Sequence, residues 1–70
     1  MIEYLYVMDY NDQTLNCIEI ESDGEFSASV QEDTAEILSQ HGFNIDDCAV
    51  MWATTKIKQV NYLDTWISYH

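Results

Sequence analysis

The sequence predicts one α+β domain over residues 1–70, in which a small antiparallel sheet of about four to five strands carries one helix on a face, in the order β-β-(β)-α-β-β. Three features carry that expectation. Two stretches of mostly apolar residues, 2–10 and 15–21, flank the turn-forming Asn11-Asp12-Gln13. A helical stripe lies between a start signal at Ser29 and a stop at Gly42. A continuous apolar run, residues 48–53, is too short for a typical helix.

In the first stretch, Ile2, Tyr4, Tyr6, Met8 and Tyr10 share one side, while Leu5 and Val7 lie between Glu3 and Asp9 on the other. A strand apolar on both sides belongs in the middle of a sheet, or offers one side's aromatics as a contact surface. Asn and Asp bond their own backbone and tolerate left-handed conformations, so residues 11–13 close a hairpin onto Leu15 to Glu21. Asp23-Gly24 is a second turn signal, after which Phe26-Ser27-Ala28 has the makings of a short third strand.

Ser29 and Glu32 have the S-x-x-E spacing of a capping box, and Val30, Thr34, Ile37, Leu38 and His41 form one helical stripe, which predicts a helix over about 30–41. Gly42 followed by Phe43 fits a Schellman stop in which Phe43 meets Leu38. After the polar turn at 44–47, the run Cys48-Ala49-Val50-Met51-Trp52-Ala53 reads as a central, buried strand. The tail from Thr54 carries helical spacings at Ile57, Val60, Leu63 and Ile67, but its β-branched and aromatic content favours a final strand.

Seventy residues sustain one core, since a chain this short buries only about 60% of its unfolded surface. With 47% hydrophobic residues the chain has enough apolar side chain to fold. Its charge is extreme: thirteen acids against two lysines give −11, where a small domain ordinarily carries a magnitude of about 2–8. Both lysines, Lys56 and Lys58, lie near the C-terminus, so the acids of residues 1–55 have no basic side chain within that stretch. Such a charge argues against direct binding to nucleic acid or to an anionic membrane. The chain contains neither a membrane-spanning run nor a signal-peptide pattern, so the expected compartment is the cytoplasm, with Cys17 and Cys48 as reduced thiols.

Chemistry is hard to place on this sequence. Cys17 or Cys48 with His41 or His70 lacks any nucleophile signature, and the same four residues lack the short spacings of a zinc site. With Asp9 as position one of a calcium loop, position six is Thr14 rather than Gly and position twelve is Ile20 rather than Glu. No Gly-rich phosphate loop is present. The expectation is a protein that is not an enzyme, with no catalytic residues, no metal and no cofactor.

The candidate site is the acid-rich segment Glu19, Glu21, Asp23, Glu25, Glu32, Asp33 and Glu36, seven carboxylates in eighteen residues. Glu19 and Glu21 share a strand face at about 6.7 Å, and Glu32 and Glu36 are helix neighbours at roughly 6 Å, a repeat similar to that of phosphates along a nucleic-acid strand. In size and charge the chain resembles the small acidic inhibitors that bacteriophages and mobile elements direct against host nucleic-acid enzymes, a likeness of composition that carries no motif. It implies a basic protein partner such as a CRISPR effector, a restriction enzyme or a DNA glycosylase. The alternative is an accessory or partner-binding module whose charge confers only solubility. The absence of proline leaves sheet edges open, so a homodimer through an edge also fits.

Overall fold

The computed structural model describes residues 1–22 and 27–67. Ile2–Asp9 (β1) pairs antiparallel with Thr14–Glu21 (β2), from Ile2↔Glu21 to Asp9↔Thr14. On its other side β1 pairs antiparallel with Cys48–Ala53 (β3), from Tyr4↔Ala53 to Asp9↔Cys48, so the sheet order is β2-β1-β3. The two-sided apolarity of β1 thus corresponds to the middle position. The hairpin turns where Asn11 N–H donates to Asp9 Oδ1 (2.9 Å) and Gln13 adopts φ 56°. A polar, unbranched residue tolerates that left-handed conformation better than a β-branched one.

The register sorts the side chains onto two sheet faces. Glu3, Leu5 and Val7 share the front with Ile18, Ile20 and Trp52; Tyr4, Tyr6 and Met8 share the back with Leu15, Cys17 and Glu19. On the front, two short helices cover the sheet: Ala28–Gln31 (α1) and Thr34–Gln40 (α2). Leu5, Val7 and Leu38 form the fully buried centre, with Ile18, Ile20, Ile37, Phe43, Cys48 and Trp52 packed against it. Each such leucine contributes about 1.5–3 kcal/mol through burial. Trp52 Nε1–H also donates to Thr34 Oγ1 (3.2 Å), fixing α2 to β3.

The end of α2 follows the sequence closely. Gly42 N–H donates to the Ser39 carbonyl (3.1 Å) and Phe43 N–H to the Leu38 carbonyl (2.9 Å), the paired bonds of a Schellman motif. Gly42 sits at φ 80°, and nothing lies within 4 Å of the point a Cβ would occupy. Gly42→Ala therefore meets backbone strain alone, with an expected loss of about 1–2 kcal/mol in urea unfolding. An unchanged midpoint would show that the left-handed residue is not needed.

The start of the helix differs from the expected capping box. Ser29 lies inside α1, Glu32 breaks the helix with φ −96° and ψ 147°, and the true cap of α2 is Asp33, whose side chain accepts from Ala35 N–H (3.0 Å). The reason is tertiary. Glu3 reaches up from β1, almost fully buried, and accepts the N–H of the buried Ala28, which holds α1 as a separate turn. Consequently Val30 points to solvent, and the stripe survives only through Thr34, Ile37 and Leu38.

Three other expectations change. The run 48–53 is an edge strand rather than a central one, because residues 54–67 add no strand to its outer side, and Val50 and Met51 stay exposed. No strand forms at Ser27-Ala28, where Ser27 is the N-cap of α1; Asp23, Gly24 and Phe26 lie outside the described residues. Residues 54–67 form neither strand nor helix, so the sheet has three strands among the described residues. The linker from α2 to β3 contains a 3-10 turn, Ile45–Asp47, capped by the Asn44 side chain on Asp46 N–H (3.1 Å). Among the described residues no helix is long and apolar enough to cross a membrane.

Candidate functional site

The carboxylates of the candidate site occupy two places. Glu19 and Glu21 project from β2 on the back of the sheet, opposite Tyr4 and Ile2 of β1. Glu32, Asp33 and Glu36 lie around the α1–α2 junction, in the layer covering the front. All five are exposed. Asp23 and Glu25, which belong to the connection between the two groups, lie outside the described residues. The strand spacing thus applies to Glu19 and Glu21, whereas the helical spacing expected between Glu32 and Glu36 does not, because Glu32 is extended at the end of α1 and Glu36 belongs to α2.

Few of these charges are compensated. Lys56 Nζ lies 3.7 Å from Glu19 Oε1, with both side chains largely exposed, so the pair contributes about 0–1 kcal/mol. Glu36 Oε1 accepts a long bond from Gln40 Nε2 (3.4 Å), and Asp33 is engaged by its own helix start. Glu3 was not among the candidates, and burial removes it from the surface altogether. Its role was hidden in the sequence because its neighbours of the same parity, Leu5 and Val7, already mark that strand face as core.

A further acidic group gathers where the β1–β2 hairpin meets the 3-10 turn. Asp47 Oδ2 accepts from both Asn11 Nδ2 (3.1 Å) and Asn44 Nδ2 (3.3 Å), and Tyr10 N–H donates to the Asp47 carbonyl (2.9 Å). These bonds tie the hairpin to the start of β3. No group of three or more His, Cys, Asp or Glu side chains is placed to hold a metal among the described residues.

The thiols are poorly placed for nucleophilic work. Cys17 pairs with Tyr6 and Cys48 with Asp9, so the register puts them on opposite faces of the sheet. Desolvation, then the charges of Asp9 and Asp47, push the Cys48 thiol above its ordinary value. That is the reverse of the electropositive setting an activated cysteine requires. His41 Nδ1–H donates to the Ile37 carbonyl at the end of α2 (2.8 Å), the local role of a donor at a helix C-terminus.

On the back of the sheet, the chain after β3 crosses β1 and reaches β2. Ile57 N–H donates to the Tyr6 hydroxyl (2.6 Å), and between this segment and β2 runs an open groove of about 510 Å³, with Leu15, Cys17, Glu19 and Lys56 along it. The groove joins apolar wall to one exposed ion pair, Lys56 with Glu19. No family model, no curated protein and no solved structure matches the chain.

Proposed function

We propose that this chain is a non-enzymatic binding protein whose exposed carboxylates occupy the basic groove of a nucleic-acid-handling protein, in the manner of a phage or mobile-element inhibitor of a CRISPR effector, a restriction enzyme or a DNA glycosylase. The observation that carries this reading is the exposure of Glu19, Glu21, Glu32, Asp33 and Glu36 in a chain of net charge −11. Carboxylates left in water and without strong ion pairs keep their attraction for a cationic surface, and such fields accelerate encounter more than they deepen affinity. Asp23 and Glu25 extend the same acidic segment in sequence. The cytoplasm, where such partners work, is the compartment that goes with this reading.

One observation favours a second reading. Acids on the back of β2, around α1–α2 and at the hairpin end surround the domain, as a solubilising coat would. The two readings separate on the immobilised chain and the protein it captures from a host lysate. In the first, capture weakens as salt shortens screening to about 8 Å, and DNA competes. Replacing Glu19, Glu21, Glu32 and Glu36 by Gln and Asp33 by Asn then lowers the association rate about tenfold or more, while stability holds or rises as self-repulsion is relieved. A complex indifferent to salt, DNA and the five replacements would eliminate the electrostatic mechanism.

A further inference from the structure

The helices cover the front of the sheet, yet Tyr6, whose side chain belongs to the back, is only 7% exposed. Its neighbours on that face do not share the burial, since Met8, Leu15 and Met51 are 47%, 48% and 49% exposed. What covers Tyr6 is the chain just after β3. Ile57 is half-buried there and its N–H donates to the Tyr6 hydroxyl (2.6 Å), while Lys56 Nζ reaches Glu19 Oε1 (3.7 Å).

Residues 54–57 therefore lie as a strap over the back. Among the described residues the strap is held by one hydrogen bond, one ion pair with both side chains largely exposed, and one half-buried isoleucine. Such contacts open locally while the domain stays folded. Nothing beyond Ile57 tightens the hold, because Val60, Tyr62, Leu63, Trp66 and Ile67 are all exposed. The strap also displays what its seat accepts: a cationic side chain against Glu19, then a residue whose N–H meets the Tyr6 hydroxyl and whose apolar side chain lines the groove.

We infer that the strap is an intramolecular placeholder, displaced when a lysine- or arginine-bearing segment of a basic protein partner takes the seat at Tyr6 and Glu19. Charge selects that occupant. Residues 1–53 hold twelve acids and no base, a net −12, and Lys56 and Lys58 are the only basic side chains of Lys or Arg type in the chain. The stretch seated on this face is thus the one basic stretch the chain possesses. A tyrosine ring beside a carboxylate suits a cation twice over, through the ring face and through a charge-assisted hydrogen bond. The inference rests on the acidic-surface reading, to which Glu19 belongs, and adds that this part of the surface is closed in the free chain.

Hexalysine, titrated into the full chain and followed by NMR, is the probe. In the free chain Ile57 should contact the Tyr6 ring. As hexalysine saturates, that contact should vanish and the Ile57 amide should exchange about threefold faster or more, whereas sodium chloride at equal ionic strength should do less. Full-chain variants separate displacement from net charge, because apparent affinity follows the fraction of open chain. Lys56→Gln should bind hexalysine about threefold more tightly than Lys58→Gln, which makes the same change of charge at a lysine without an ion pair among the described residues. Tyr6→Phe, which leaves the charge unchanged, should bind it about threefold more tightly than the parent. Hexalysine bound with the Ile57–Tyr6 contact intact would overturn the inference and leave the acidic-surface reading standing, as would equal affinities for the two lysine variants with no gain in Tyr6→Phe. A parent chain that binds no hexalysine would sink both.

Discussion

Leu38→Ala is expected to cost about 2–5 kcal/mol in urea or thermal unfolding, because it opens a cavity where the helix layer meets the sheet. Leu38 is fully buried between Leu5 and Val7 of β1 and the surrounding Ile37, Phe43 and Trp52. A domain of this size holds roughly 0.05–0.15 kcal/mol per residue of net stability, so the loss is comparable to the whole. At a urea slope of about 1 kcal/mol/M, the midpoint falls by some 2 M or more, or the variant does not fold at all. Leu38→Met, which nearly conserves volume, should lose less than about 1.5 kcal/mol and keeps the test readable. A loss below about half a kcal/mol for the alanine variant would mean that α2 is not seated on the sheet.

The second large effect belongs to Glu3. Its carboxylate accepts the N–H of Ala28 in a buried setting, and Ala28 is itself completely buried. Two terms compete on truncation to alanine. Removing a carboxylate relieves desolvation and some self-repulsion, while the Ala28 N–H loses its acceptor at a cost of about 1–3 kcal/mol and a void opens beside it. The second should win, giving a net loss of about 1–3 kcal/mol and faster amide exchange at Ala28. Glu3→Gln keeps an acceptor and should recover at least half of that loss. Should Glu3→Ala match the parent in stability and in Ala28 exchange, the strand-to-helix anchor would be disproved.

What the sequence by itself determined are the features settled within a few residues. The β1–β2 hairpin follows from alternation around Asn11-Asp12-Gln13, and the end of α2 follows from Gly42 and Phe43, because turn and cap bonds close locally. The exposure of Glu19, Glu21, Glu32, Asp33 and Glu36 was likewise legible, whereas the burial of Glu3 was not. What only the tertiary structure decided depends on contacts far apart in the chain. Ser29 and Glu32 have a capping-box spacing, yet a buried carboxylate twenty-five residues upstream of Ala28 holds α1 as its own turn and leaves the cap of α2 to Asp33. The apolar run of β3 is consistent with a central strand or an exposed edge, and the choice rests on whether residues 54–67 add a strand outside it, which they do not. The same pairing sends Glu19 and Glu21 to the back of the sheet and Glu32, Asp33 and Glu36 to its front, because side-chain direction alternates along a strand and a helix layer covers only one face.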